Sequence, residues 1–215
     1  MSPFPIILSA PSGGGKTTIA HKLLDQRSDL GYSVSCTTRA AREGEVDGRD
    51  YYFLSPDEFE TARANGDFAE SAEVHGNFYG TLRREVDRVI AAGKHVVMDI
   101  DVQGTRQFIE AYPDSVRIFV IPPDAQIMLQ RLDTRGTESA SSIARRLRSA
   151  VAELRAVDLY GYLVVNDDLG AAVQAVSRII DAEEFRLGHV AGYRERVGAL
   201  VADLQAELEK LNRSA

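Results

Sequence analysis

The chain has 215 residues, of which 44% are apolar and 27% are charged, and its formal net charge at pH 7 is −7. This length is enough for one large hydrophobic core. The acidic balance excludes the overall basic surface with which proteins bind nucleic acids or anionic membranes. The single cysteine, Cys36, excludes an intrachain disulfide and favours a reducing compartment. No apolar run reaches the length of a membrane span or a signal peptide, so we expect a cytoplasmic protein. Together with the acidic charge, this predicts neither a nucleic-acid nor a membrane partner.

The first segment of the chain predicts a phosphate-binding loop. An apolar run over residues 6–8 predicts a buried strand, three glycines follow at 13–15, and Lys16 opens an amphipathic helix. In a P-loop, backbone N–H groups converge at a helix N-terminus, a lysine reaches the β- and γ-phosphates, and a hydroxyl ligates Mg²⁺. Ala10 stands where the usual pattern has glycine, and a glycine turn that binds nothing is the alternative interpretation. The predicted nucleotide-binding residues are Ser12, Gly13, Gly14, Gly15, Lys16, Thr17 and Thr18, with Thr17 also a metal ligand.

Residues 34–81 are rich in strand signals and predict an inserted, mostly antiparallel lobe. Alternation over residues 31–39 predicts one strand, and the sequence Ser55-Pro56-Asp57-Glu58 predicts a helix start with a capping box. Between them lies a charged, glycine-punctuated loop. Two arginines three apart, followed by paired tyrosines, suit one phosphate group held by guanidinium forks and a phenol. A solvated charged loop is the alternative interpretation.

The remainder of the chain alternates between strands and helices, which predicts a parallel α/β sheet. Residues 94–101 form a second apolar strand ending in carboxylates, where a P-loop protein places an acid near its metal. Residues 116–121 and 163–166 predict two more strands. Asp124 is a candidate cap for a helix running to about Leu132, and residues 173–180 predict the last core helix.

We therefore predict a core of residues 1–33 and 82–188, with the inserted lobe at 34–81. The most basic region lies within the core, and residues 133–150 of it are expected to form a small helical lid. Residues 189–215 are predicted to be a helical extension. Its apolar stripe is expected to pack on its own domain rather than on a partner.

At this point the motifs become specific enough to indicate a family: the chain resembles guanylate kinases, the P-loop nucleoside monophosphate kinases that act on GMP. The matching segments follow the family order across residues 4–185, and the ordered set is far more specific than the P-loop alone. The chain departs from the family pattern in two places. Alanine stands at 40 and 41, where relatives often carry proline, and Phe78 replaces a tyrosine. These departures affect the expected rigidity of the loops. The matches are residues 10–17, 35–39, 42–45, 48–53, Glu70, and residues 76–81, 99–104, 135–138 and 165–168.

The resemblance implies a P-loop NTPase-type sheet with a GMP-binding lobe, and an ATP:GMP phosphotransferase that uses ATP and Mg²⁺. In the acceptor site, carboxylates would accept hydrogen bonds from guanine N1–H and the exocyclic amine, and hydroxyls would meet guanine O6. Adenine would instead leave a buried carboxylate unpaired. The implied acceptor residues are Arg39, Arg42, Tyr51 and Tyr79 for the phosphate, Glu70 and Asp101 for the donors of the base, and Ser35 and Thr81 for O6.

On the donor side, the resemblance implies that positive charge surrounds the phosphoryl group in transit. Asn166 would lie near the adenine of ATP, and Asp99 would support the metal together with Thr17. The implied catalytic residues are Lys16, Arg135 and Arg146.

Two other functions stay open on the residues: a catalytically silent guanylate-kinase-like interaction module, and a P-loop kinase for another small acceptor. The first is disfavoured because the P-loop lysine and the phosphate arginines are present. The second is disfavoured because an anionic pocket made by Glu70 and Asp101 needs a base rich in donors. The residues do not say whether dGMP is also an acceptor or whether the chain forms a homo-oligomer.

Overall fold

The computed structural model describes residues 2–74, 76–132 and 140–214. Strands and helices alternate along most of these residues, as the sequence predicts. The strands are β1 Pro5–Ser9, β2 Leu30–Tyr32, β3 Ser35–Thr37, β4 Tyr52–Phe53, β5 Phe68–Val74, β6 Asn77–Leu82, β7 His95–Asp99, β8 Val116–Ile121 and β9 Tyr162–Val165. The α-helices are α1 Lys16–Gln26, α2 Pro56–Ala64, α3 Arg83–Ala91, α4 Val102–Ala111, α5 Ala125–Leu132, α6 Ala140–Leu154, α7 Leu169–Glu183 and α8 Tyr193–Ser214.

The core sheet has five strands, all parallel, in the order β2-β7-β1-β8-β9. Strand β1 lies at its centre and is buried along its whole length, with Ile6 level with Val97 on one side and Val116 on the other. Helices cover both faces, as the apolar character of the strands requires. One cluster of buried side chains joins the sheet to α1 and α7, and another joins it to α3 and α4. The predicted fold class is confirmed.

A second sheet of four strands, in the order β4-β3-β6-β5, lies within the segment expected to form the lobe. The β3–β6 and β5–β6 pairings are antiparallel, and the β3–β4 pairing is parallel. Phe59 of α2 is buried against this sheet between Phe68 and Phe78. Helix α2 begins with the predicted capping box between Ser55 and Glu58. The second sheet therefore has a small aromatic core of its own.

The single strand predicted over residues 31–39 is wrong. The chain pairs with β7 as β2, leaves the core sheet at Ser33 and Val34, and pairs with β6 as β3. Alternation continues through the break because both segments bury alternate side chains, and so the pattern gives no sign of the change of sheet.

The expectation that the C-terminal stripe packs on its own domain is also wrong. Helix α8 forms, but its leucines and valines are about half exposed or more. The sheet face that could have received them is already covered by Val173, Val176 and Ile180 of α7, all of which are buried. Among the described residues, no helix is long and apolar enough to span a membrane.

Candidate active site

A cleft of about 440 Å³ opens at the carboxyl ends of β1 and β7 and extends to the second sheet. This is the edge at which α/β proteins bind ligands, and the volume is in the range of small-molecule sites. The cleft brings together most of the predicted site. Its lining includes Ser12, Gly13, Gly14, Gly15, Lys16, Thr17, Thr18, Ser35, Tyr51, Glu70, Tyr79, Asp99 and Asp101.

The loop between β1 and α1 has the backbone of an anion-binding turn. Gly13 and Gly15 have φ of 84° and 90°, in the left-handed region that favours glycine, and α1 begins directly afterwards at Lys16. The unpaired N–H groups of the first turn therefore point into the cleft. At Gly14 an added Cβ would lie 2.6 Å from the Cβ of Ala10, so the alanine at the start of the loop excludes any side chain there.

Asn166 supports this loop from behind. Its side chain is buried, and its Nδ2 donates a 2.9 Å hydrogen bond to the carbonyl of Gly14. A Cβ at Gly15 would lie 2.4 Å from the same Nδ2. The Asn166 backbone is held at both of its polar groups. Its N–H donates to the Ile121 carbonyl, and its carbonyl accepts a hydrogen bond from Arg131. The structure thus places Asn166 in contact with the loop, outside the lining of the cleft.

Helix α6 touches the loop at Ser12. Arg146 donates from Nε and Nη2 to Ser12 Oγ, at 3.2 and 3.1 Å. Glu153, two turns further along, lines the cleft beside Lys16, and the Ser12 backbone N–H lies within hydrogen-bonding reach of its carboxylate. Burial and the nearby Asp101 raise the pKa of Glu153. The predicted catalytic residue Arg135, and residues 133–139 of the expected lid, lie outside the described residues.

Asp99 joins the loop to the core sheet. Its Oδ2 accepts a hydrogen bond from Thr17 Oγ1 and its Oδ1 accepts one from the phenol of Tyr32, both at 2.5 Å. Burial, followed by the charge of Asp99, raises the pKa of Tyr32. A carboxylate and a hydroxyl oxygen side by side at the mouth of a P-loop are the donor set that Mg²⁺ prefers. The residues therefore fit the implied metal.

The loop after β3 carries the two arginines that are predicted to hold the acceptor phosphate. Arg39 Nη2 pairs with Glu45 Oε1 at 2.9 Å, and its guanidinium lies 5.4 Å from the centre of the Tyr51 ring. The other oxygen of Glu45 accepts from the backbone N–H of Arg42 at 2.7 Å. One carboxylate thus holds the loop that carries both arginines. Arg42 itself is exposed, and neither arginine lines the cleft as it stands.

The far end of the cleft is acidic. Glu70 on β5 is only 5% exposed, and its Oε1 accepts a 2.7 Å hydrogen bond from Thr81 Oγ1. Burial raises the pKa of Glu70 to about 7, and the charge of Asp101 adds to the shift. Glu70 is therefore not a solvent-facing residue of the strand. Asp101 caps α4 by accepting from the Gly104 N–H at 2.7 Å, while still lining the cleft.

Four residues of this site escape sequence analysis. Tyr32 and Glu153 touch the phosphate end, but nothing local distinguishes them from an ordinary strand tyrosine or a helix glutamate. Glu45 carries a weak signal, because it stands in a charged loop between two predicted phosphate ligands. Gly104 is required because a Cβ there would lie 2.5 Å from Glu70 Oε2, a contact between segments 34 residues apart.

Among the described residues, one further cluster has the spacing of metal ligands: Asp29, His95 and Glu184. His95 Nδ1 accepts a hydrogen bond from the Phe4 N–H, so that Nε2 carries the ring proton and faces Glu184 at 3.4 Å. Arg27 pairs with Asp29 at 2.7 Å and lies 3.9 Å from Glu184. The arginine contacts both carboxylates and the ring N–H faces one of them, so the cluster is explained as an ion-pair and hydrogen-bond network.

The chain matches the family model described as guanylate kinase over residues 2–183. It is 49% identical to guanylate kinase of Symbiobacterium thermophilum over 181 residues, which cover 84% of this chain and 86% of that protein. With guanylate kinase of Lactococcus lactis the identity is 46% over 185 residues, covering 86% of this chain and 90% of the relative. The crystal structure of guanylate kinase from Anaplasma phagocytophilum superposes with a TM-score of 0.74 at 35% identity, covering 90% of this chain and 93% of that one.

Proposed function

Because the chain belongs to the guanylate kinase family, we infer that it transfers the γ-phosphoryl group of ATP to GMP, giving ADP and GDP. The inference rests on one observation: a single cleft has two ends that differ in the chemical groups they present. One end is a glycine loop with a lysine at a helix N-terminus, suited to a triphosphate. The other holds two carboxylates, the buried Glu70 and the partly buried Asp101, which suit a base that presents two hydrogen-bond donors.

We propose that the loop and α1 bind the β- and γ-phosphates of ATP through their backbone N–H groups and the Lys16 ammonium. Asn166 acts as a positioning residue, because its amide is committed to the Gly14 carbonyl. If Asn166 also contacts the adenine, its amide must bind the Gly14 carbonyl and the base at the same time. Arg146 enters the same region from α6 and adds positive charge beside Ser12. Arg135 stays in the proposal on the family resemblance alone.

For the acceptor, we propose that Arg39, Arg42, Tyr51 and Tyr79 hold the GMP phosphate. The Arg39 guanidinium is already oriented by Glu45 and the Tyr51 ring, which lowers the ordering cost of binding. Glu70 and Asp101 accept from guanine N1–H and the exocyclic amine. Thr81 is buried with its hydroxyl donated to Glu70, so we assign it to positioning Glu70 and leave O6 to Ser35.

The reaction is an in-line displacement. An oxygen of the GMP phosphate forms a bond to the γ-phosphorus, the bond to the β–γ bridging oxygen breaks, and that oxygen leaves on ADP. Lys16 and Arg146 neutralise charge on the oxygens of the group in transit, which is most of what catalysis of phosphoryl transfer requires. Thr17 and Asp99 would hold Mg²⁺, which when bound supplies further neutralisation of the phosphates.

A coupled assay of ADP release with GMP, AMP, CMP and UMP as acceptors tests the function. We expect turnover with GMP well above that with the other three. Equal turnover with AMP would instead support a P-loop kinase of another acceptor, and no turnover with any of them would support a silent interaction module. We also propose a cytoplasmic location, because a free buried thiol at Cys36 suits a reducing compartment.

Replacing Arg39 or Arg42 with alanine is expected to weaken GMP binding about 10- to 150-fold each, the equivalent of ~1.5–3 kcal/mol for a charge-assisted hydrogen bond. ATP binding should change little, because both arginines belong to the second sheet's loop. Calorimetric titration with each nucleotide measures the two effects separately. Arg49→Ala is the matched control, since Arg49 is an exposed arginine of the same loop that pairs with its neighbour Asp50 and donates to the Gly44 carbonyl. A fall in ATP affinity with unchanged GMP affinity would contradict the assignment.

A further inference from the structure

Helix α8 carries an apolar seam that lies in solvent. Six of its valine and leucine side chains are between 48% and 66% exposed. Five of them follow one another at intervals of four, three, four and three residues, and Leu200 lies beside this series. This alternation is a heptad repeat, in which apolar residues occupy positions a and d. The seam consists of Val197, Leu204 and Leu211 at d and of Val201 and Leu208 at a.

From residue 195 onward the charges of the helix lie outside this seam, whereas Arg194, in the first turn of the helix, falls at position a. In the same register, Glu195, Asp203, Glu209, Lys210 and Arg213 fall at positions b, c and f, on the outer face. The positions that flank the seam from 198 onward are Gly198, Gln205 and Asn212 on one side and Leu200, Glu207 and Ser214 on the other. Glu207 is the one charged residue among them, and it pairs with Lys210 at 2.6 Å.

This distribution distinguishes a seam for another helix from the inward face of a domain helix. A helix that packs on a globular core presents a broad apolar stripe, whereas an a/d seam is narrow and fits a second helix. From Val197 to Leu211, Leu200 is the one leucine or valine outside positions a and d. Where such a pair joins different chains, charges at the flanking positions choose the partner. Here the flanks are almost uncharged, and so two identical seams meet without repulsion.

We propose that α8 pairs with α8 of a second copy of this chain, in a two-fold coiled coil. The helix has 22 residues, which is about 33 Å at 1.5 Å per residue, and the seam covers about two heptads. A two-fold axis lets each seam residue meet its equivalent or its neighbour in the other copy, as in any isologous interface. The coiled coil lies beyond residue 183, where the family match ends, and it is independent of the phosphotransfer proposal.

The test is the mass of the whole chain in solution, measured by sedimentation velocity over a series of concentrations. We expect the wild-type chain to shift from one copy to two as its concentration rises. The double variant Leu204→Glu/Leu208→Glu places charges in the seam and should stay at one copy throughout. The matched control Ala202→Glu/Ala206→Glu adds the same two charges four residues apart on the outer face and should dimerise like the wild type.

Circular dichroism and kinase turnover verify that each variant is folded, since glutamate is a good helix former and α8 lies outside the cleft. A wild-type chain that remains a single copy at its highest soluble concentration would overturn the proposal. So would a dimer that survives the seam substitutions, because its interface would then lie elsewhere. Equal loss of the dimer in the seam variant and the control would also overturn it, since total charge would be the cause.

Discussion

Replacing Lys16 with alanine is expected to lower turnover about 100- to 1,000-fold at saturating ATP and GMP, the range seen when one preorganised charge or donor at the reacting group is removed. The ammonium stands at the start of α1, directly after the loop whose backbone N–H groups face the cleft. Those N–H groups are dipoles with no net charge, so alanine removes the formal positive charge of the loop and leaves its shape. The effect should appear in kcat more than in the KM for GMP.

The matched control for this variant is Lys22→Ala, which removes an exposed lysine from the same helix two turns later. Turnover of the control should be unchanged. Thermal unfolding of both variants should follow that of the wild-type chain, because neither lysine is buried. If folded Lys16→Ala turns over at close to the wild-type rate, the glycine loop does not bind the transferring phosphoryl group and the P-loop assignment fails.

Local patterns account for much of the fold. The buried strand, the glycines and Lys16 predicted the β1–loop–α1 unit because each imposes a backbone requirement that few other structures meet. The capping box at Ser55 predicted the start of α2 for the same reason. What local patterns could not predict is which sheet a strand joins. Residues 31–39 keep their alternation while the chain passes from one sheet to the other, because periodicity records burial and not the identity of the neighbour.

In the candidate site, too, local motifs could be recognised from the sequence, whereas contacts between distant segments could not. Residues with a role in a local motif, such as Thr17 or Arg39, could be identified from their neighbours in sequence. The contacts that set their chemistry join distant segments: Tyr32 donates to Asp99 across 67 residues, and Asn166 donates to Gly14 across 152. The pKa of Glu70 likewise depends on distant segments: burial beside α4 raises it, the hydrogen bond from Thr81 lowers it, and the charge of Asp101 adds to the rise. Such contacts follow from the fold and become visible only with it.

The largest effect on specificity is expected for Glu70→Gln. The amide keeps the oxygen that accepts from Thr81 and replaces the other oxygen with an NH₂ group, so a donor faces the donors of guanine. One hydrogen bond becomes a donor–donor contact, which costs ~1–3 kcal/mol, or about 5- to 150-fold in kcat/KM for GMP. The ratio of kcat/KM for GMP over AMP should fall, because the amide offers a donor to adenine N1. The KM for ATP should hold. Glu73→Gln, on the exposed face of the same strand, is the control.

The pH dependence of the two enzymes separates a base-reading role from a structural one. With the pKa of Glu70 raised to about 7 by burial, the free wild-type enzyme loses this proton near pH 7. Since the ionised carboxylate is the better acceptor, kcat/KM for GMP should rise with pH and level off above about 7. In Glu70→Gln that rise should vanish, leaving only the titration of the GMP phosphate, near pH 6.

Ionisation of Glu70 affects stability in the opposite direction to activity: the free energy of unfolding falls as pH rises. Between pH 4.5 and about 7 the folded chain holds a proton that the unfolded chain has released, so this carboxyl lowers the free energy of unfolding as pH rises. Glu70→Gln should lack that decline and be at least as stable as the wild type at pH 8, by chemical denaturation. If the variant loses both activity and stability at pH 8, the role of Glu70 is to stabilise the structure of the pocket. A variant that is stable and keeps the wild-type ratio of GMP to AMP would show that another group reads the base.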